Sequence, residues 1–337
     1  MRTWKQIIED NRITMEDVPT LEAKLFFEGD KRLIRLERYT VLLFLSTIIA
    51  TYGVIGDSVA IVIGAMIIAP LMRPIMATAA GLVMGDVRRA GNSFLVVLIS
   101  VIGVVGLAWF LTEINFATVI SFDINSQISS RISPRLIDLF TALAAGAAGA
   151  FAMSRDDVAD SLPGVAIAVS LVPPLCVVGV GLAETDFTVA WGAMLLFLTN
   201  FLSILLAGGL VLALLGLSSA ATEGLRNPVR LRAFVLITIG ILLVALPLTA
   251  TTVGIFEQAL IKRDTVILAE EWLIGTDYDI SQIEISNDQV DLIIYGSGAR
   301  PELNILTDQM INEYEHIASL RLLVIPSEEE RYDFLQN

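Results

Sequence analysis

Pro70, Pro74, Pro173 and Pro174 fall inside long apolar runs, and Arg73 stands between the first two. Proline has no backbone N–H, so in a helix interior it removes a hydrogen bond and frees the carbonyl one turn earlier. In hydrocarbon such a carbonyl must be buried in protein or line a wet cavity. Broken helices at corresponding places in two halves of a chain mark the binding site of many secondary transporters. Two packing kinks would need the same prolines, but the recurrence of the break favours a transport site. Ser170 takes the place of Pro70 in the second copy and joins the candidate pathway.

Arg73 is the sharpest of these residues. A mid-membrane arginine costs at least about 2.5–3.5 kcal/mol on insertion scales. It is therefore expected to face the bundle interior and meet carbonyls, a carboxylate such as Asp57 or Asp138, or an anionic substrate. Its guanidinium keeps its charge at any working pH. The central site is expected to accept an anion or an acid group, with carbonyls freed near Met66 and Val169 holding any coupling cation. Asn200, with Thr199 and Ser203, places polar groups in an apolar helix, which either line the pathway or bond between helices. Asp57, Asp86, Asp157, Asp160 and Asp186 sit at expected helix ends, where capping or solvation explains most of them. Asp156 and Asp157, ahead of a broken helix, are placed to gather cations at a pore mouth; Asp57 and Asp157 are kept as pathway candidates.

Other chemistry finds little support. Cys176 and His316 are single residues of their types, so no zinc or copper cluster can be assembled from them. Gly296-Ser297-Gly298 reads as a turn, because no P-loop lysine follows it. No nucleophile, base and orienter come together, and no paired intramembrane carboxylates are visible. No enzyme activity, cofactor or metal is expected.

The elements that must position these residues are membrane helices. Hydrophobic residues make up 55% of the 337 and charged ones only 17%. Soluble chains run near 45–50% and about 25%, so the bilayer is the expected solvent. Up to Phe256 there are 17 Lys and Arg against 19 Asp and Glu, and beyond it 5 against 17. The acidity belongs to the tail, and no basic patch for nucleic acid is present. No cleavable signal peptide precedes the first apolar run, which is expected to act as a signal anchor.

A helical span needs about 20 apolar residues, and seven runs qualify: Tyr39–Ile55, Ser58–Met84, Phe94–Thr112, Leu136–Met153, Ser161–Ala183, Thr188–Leu217 and Ala233–Phe256. With the N-terminus inside, Lys31, Arg32, Arg35, Arg38, Arg88, Arg89, Arg155, Arg226, Arg230 and Arg232 lie on the cytoplasmic side. Arg131, Arg135, Lys262 and Arg263 lie on the other, so the positive-inside rule supports seven crossings and an extracytoplasmic tail. A re-entrant proline segment would move the tail to the cytoplasm.

An internal repeat at an offset of 100 organises the spans. Gly64 to Asp86 aligns without a gap on Gly164 to Asp186, with 7 of 23 positions identical. The same register pairs Asp57 with Asp157 and Arg35 with Arg135. Each copy would hold three crossings, about 35–112 and 135–217, so the copies enter from opposite sides: an inverted repeat. An extra helix, about 233–256, would follow.

The tail, 257–337, reads as a small α+β soluble domain. Ser281–Ser286 and Gln289–Tyr295 have strand character around Asn287-Asp288, Pro301–Tyr314 reads as a helix and Leu320–Ile325 as a last strand. With a helix near Ile267–Leu273, the order is α-β-β-α-β. A tail able to pair strands would suit a homo-oligomer. Residues 1–38 form a polar N-terminal segment.

Asp57-Ser58, Ile63 to Met72, Gly164 to Leu175 and Leu196-Phe-Leu-Thr-Asn200 resemble the signature segments of a bacterial membrane family, domain of unknown function 389. The resemblance covers about Arg38 to Leu217. It implies a multi-pass protein of the bacterial inner (plasma) membrane.

The expected architecture is thus an all-α polytopic membrane bundle of about seven helices, in two inverted three-helix repeats with proline-broken central helices, plus the α+β domain. The expected function is secondary transport or channel-like conduction of a small ion or solute. The alternative is a membrane-anchored sensor or scaffold acting through the C-terminal domain.

Overall fold

Short polar side chains set where the apolar helices begin. In the computed structural model, the side chains of Ser58, Asp86, Asn125 and Asp186 each accept a hydrogen bond from a backbone N–H two or three residues on. Each satisfies a donor that the first turn of a helix leaves open. The structure describes residues 6, 9, 11–115, 122, 124–155, 171–221, 235, 239, 242, 246, 249, 260–261, 263–286, 289–299, 302–313 and 319–326. The chain divides into two compact units, Met1–Thr251 and Thr252–Asn337.

The first unit is helical. Its elements are α1 (Val18–Leu25), α2 (Arg32–Ile55), α3 (Val59–Ile68), α4 (Met72–Met84), α5 (Val87–Glu113), α6 (Ser126–Ile132), α7 (Leu136–Ser154), α8 (Val172–Ala183) and α9, which starts at Phe187. Helix α9 is α-helical to Ser203, makes a π-helical turn over Ile204–Gly208 and resumes over Gly209–Leu214. Among the described residues four helices are long and apolar enough to cross a membrane: α2, α5, α7 and α9 through Leu214. The α3–α4 pair, bent by 46°, makes a fifth if it is one span. Seven crossings were expected. Helix α8 begins at Val172, with Leu171 outside it, and has 12 residues; most of the run before it lies outside the described residues, as does most of Ala233–Phe256.

The faces of α5 explain why the bundle belongs in lipid. It exposes Leu95, Leu98, Ile99, Ile102, Trp109 and Phe110 while burying Ala90, Ser93, Val97, Ser100, Val104 and Ala108. Large apolar groups point out and small or hydroxyl residues pack within, the arrangement that membrane helices use to approach closely. Several buried hydroxyls are satisfied locally. Thr47, Thr51, Thr78, Ser100 and Thr112 each donate to the carbonyl four residues earlier. Tyr39 and Ser100 also join α2 to α5 through a 2.7 Å hydroxyl–hydroxyl bond.

Helices α4 and α8 form the centre. Eleven of the 13 residues of α4 and ten of the 12 of α8 are buried, more completely than in the long helices around them. Helix α1 and its flanks belong to this core too, through Ile13, Leu21, Leu25 and Phe26.

The second unit holds a helix over residues 263–273, the antiparallel pair β1 (Asp277–Ser286) and β2 (Gln289–Ser297), a helix Leu303–Glu313, and β3 (Ser319–Pro326) parallel to β2. The sheet order is β1-β2-β3. Val290, Leu292 and Ile294 alternate inward along β2 and pack with Ala269, Trp272, Leu306 and Met310. This is the α-β-β-α-β order read from the sequence.

Candidate functional site

The prolines do their work at helix starts rather than in helix interiors. Pro173 and Pro174 fall in the first turn of α8, and Pro74 in the first turn of α4. There a missing N–H costs no helical hydrogen bond, which corrects the expectation that each of them frees a carbonyl in mid-helix. Pro70 makes the real interruption among the described residues. Between α3 and α4, Ala69 is extended, and the backbone N–H of Arg73 donates to the Pro70 carbonyl at 3.2 Å as the next helix opens. Ser170 and Asp157 lie outside the described residues, as do Asp156, Asp160 and Val169.

Several local backbone features share the offset of 100 residues. Helices α4 and α8 start at Met72 and Val172, and α5 and α9 at Val87 and Phe187. Gly85 and Thr185 are both left-handed, with φ of 78° and 58°. Asp86 N–H donates to the Gly81 carbonyl at 2.9 Å and Asp186 N–H to the Gly181 carbonyl at 2.8 Å. This six-to-one bond closes the end of a helix as in a Schellman turn. Both aspartates then cap the next helix. A Cβ added to Gly81 would lie 2.7 Å from Ala90 N, and one added to Gly181 would lie 2.9 Å from Ala190 N. Helix α4 meets the π-helical turn of α9 where Met76 Sδ lies beside Gly208, and α8 meets α5 where Gly179 lies beside Ala108. Positions 108 and 208 in these two contacts are again 100 residues apart.

Arg73 meets neither Asp57 nor Asp138. Asp138 accepts from the Arg135 backbone N–H at 2.7 Å, closing the start of its own helix. Asp57, at φ 48°, accepts from Ser126 Oγ at 2.6 Å and Gln127 N at 3.0 Å, tying the α2–α3 turn to α6. Arg73 instead donates from Nε to the Leu25 carbonyl at 3.3 Å and stacks over the Phe27 ring at 4.4 Å. It lines a pocket of about 610 Å³ with Lys24, Arg35, Arg38, Tyr39, Leu42, Pro70 and Met153. The pocket therefore joins the helix break to the first turns of α2. Sequence reasoning used Arg35 and Arg38 for orientation, and Arg35 for the repeat register, but not for a site. Their placement was legible, since Arg35, Arg38, Tyr39 and Leu42 recur at the i, i+3, i+4, i+7 spacing of one helical face.

Residues 66–206 match the family model described as Domain of unknown function (DUF389). The helical unit carries a DUF389 domain. An uncharacterized protein of the archaeon Methanocaldococcus jannaschii is 33% identical over 217 residues, which is 59% of this chain and 65% of that relative's length. The match thus spans just under two thirds of the relative, and its source is archaeal rather than bacterial. No solved structure matches the chain. The DUF389 segment begins in α3 and ends in the π-helical turn of α9, so both aspartate-capped turns lie inside it.

Within the DUF389 segment, Thr199 Oγ1 donates to the Leu195 carbonyl at 2.8 Å, and Asn200 is buried and partnered. Ser203 Oγ is buried without a partner at the entry to the π-helical turn. Such a turn is often found where function needs a helix out of register, and no residue pattern announced it.

Asp57 lies between helices, and the Ser126 hydroxyl, helped by the backbone N–H groups of Gln127 and Ser126, holds its carboxyl below the usual range against the opposing effect of desolvation. A lowered folded pKa gives stability that is present above the unfolded value and lost as pH falls through the folded one. Asp57→Asn is therefore expected to lower Tm at neutral pH. The gap should close as pH drops below about 4, the ordinary carboxylate range. Thermal unfolding of both proteins from pH 7 to pH 3 checks it; a gap unchanged at pH 3 removes the carboxylate from the account.

Proposed function

We propose that the helical unit is a secondary transporter or channel-like protein for a small ion or solute, built on two inverted repeats that meet at α4 and α8. The observation that carries this reading is the shared geometry one hundred residues apart. Both central helices open at proline-bearing turns, end in a left-handed residue and pass through an aspartate cap into a long apolar helix. Three crossings per copy would place the copies in opposite orientations, with the substrate between the helix breaks. The near-complete burial of α4 and α8 places both helices that follow the proline turns in the core of the bundle.

The protein sits in the cell membrane with its N-terminus in the cytoplasm in this proposal, in keeping with the basic residues that flank α2. Purified full-length protein in proteoliposomes tests it against a panel of alkali cations, inorganic anions and small organic acids. Saturable uptake of at least one solute, retained after removal of Ile267–Asn337, is the expected result. Absence of uptake across the panel overturns the proposal. Uptake that vanishes with the tail, together with partner capture by residues 267–337, would favour a membrane-anchored sensor instead.

A further inference from the structure

Three arginines in the pocket beside the Pro70 break have no acidic partner among the described residues. Arg35 donates from Nη1 to the carbonyl oxygens of Ala23 and Phe26, at 2.8 and 3.5 Å, and Arg73 donates to that of Leu25. Arg38 makes no hydrogen bond or ion pair among the described residues. None of the three forms a salt bridge among those residues, and Lys24 adds a fourth positive charge to the wall.

The neighbouring Arg89 shows how the same segment treats an arginine that serves only structure. Its guanidinium meets Glu22 at 2.5 Å, Glu28 at 3.2 Å and Asp86 at 3.6 Å, and lies over the Phe26 ring at 5.1 Å. The α1 region thus supplies carboxylates to Arg89 and only carbonyls to Arg35 and Arg73. Carbonyls orient a guanidinium without neutralising it. Like charges gathered in one cavity repel, and the arrangement is stabilised when a multivalent anion enters.

We infer that this pocket binds a phosphate group, held by the guanidinium groups of Arg35, Arg38 and Arg73 at the inner end of α2. A phosphate has several oxygens that can each accept from a planar guanidinium fork, and up to two negative charges to set against the cluster. The carboxylate of a simple acid would leave more of the cluster unmatched. Tyr39 cannot be counted on as a donor, because its hydroxyl is engaged with Ser100. The phosphate can come from solution or from a phospholipid headgroup, since Leu42 on the pocket wall is 43% exposed and continues the apolar outer face of α2. The inference names a ligand for a site next to the proposed pathway but does not depend on transport: binding is read without flux, so either claim can fail alone.

Full-length protein in detergent is titrated with inorganic phosphate against chloride at matched ionic strength, and Tm is followed. In parallel it is placed in bilayers of phosphatidylcholine with or without phosphatidylglycerol. A saturable rise in Tm with phosphate identifies a soluble ligand, and a rise confined to phosphatidylglycerol identifies a headgroup; both support the site. Arg38→Gln disturbs no hydrogen bond of the fold and is expected to weaken the response about tenfold or more, the usual worth of a charged hydrogen bond. Arg73→Lys should weaken it as well, because the ammonium keeps the charge and loses the fork. A Tm that neither phosphate nor phosphatidylglycerol moves, or a shift of equal size and midpoint in Arg38→Gln, overturns the inference.

Discussion

Gly179→Leu is expected to stop the helical unit from assembling. A Cβ built on Gly179 lies 2.6 Å from Ala108 Cβ, 2.7 Å from the Val105 carbonyl oxygen and 2.8 Å from Trp109 N. Two of these three neighbours are backbone atoms of α5, which cannot rotate aside as a side-chain tip would. Helix α8 would have to move outward, yet its buried face is locked by Val172, Leu175, Cys176, Val177 and Val180. Small residues set helix spacing in membranes because lipid offers no hydrophobic drive to close a gap. One methyl at this point is expected to cost about 1–3 kcal/mol, the usual penalty for overpacking. A leucine adds three more carbons to the same clash, so the expected outcome is loss of monodisperse protein after detergent extraction, read by size-exclusion chromatography. Gly103→Ala is the control: nothing lies within 4 Å of its added Cβ. Wild-type yield and Tm for Gly179→Leu would show that α5 and α8 are not in contact there.

The parts of this architecture that could be read from residues alone are those fixed by neighbours in the chain. Asp86 and Asp186 cap the helices that follow them, and the offset of 100 that aligns Gly81 with Gly181 also aligns their backbone turns. Capping is a contact across two or three residues, so its signal is local. Arg73 had to be judged against partners 48 residues away in a segment that reads only as polar. Leu25 offers it a carbonyl, and every residue type has one, so nothing in the sequence marks that partner. The prolines misled for a related reason. Their missing N–H says that a helix cannot continue through them, but a break and a start look alike until the preceding turn is seen. The π-helical turn at Ile204–Gly208 leaves no compositional trace, because it changes the hydrogen-bond register while keeping the same apolar residues.

Gly81→Val and Gly181→Val are expected to damage the unit to a similar degree, because they sit at the same point of two turns with the same geometry. Each added Cβ would press on the first turn of the following helix, at Ala90 N and Cα in one case and Ala190 N in the other. That first turn is held by Asp86 or Asp186, whose own N–H is bonded to the carbonyl of the very glycine that changes. The helix cannot retreat without breaking that bond and the aspartate cap, which is worth about 1 kcal/mol by itself. Adding the overpacking penalty of about 1–3 kcal/mol makes each substitution severe, and valine's second methyl leaves it few rotamers in which to escape. The matching alanine variants should be milder and fall in the same order, Gly81 slightly worse than Gly181, following the 2.7 and 2.9 Å approaches. Thermal unfolding in detergent measures all four. Closely paired losses support two turns that do the same structural job; a large loss at one glycine beside tolerance at the other would separate the turns and remove the geometric support for a repeat.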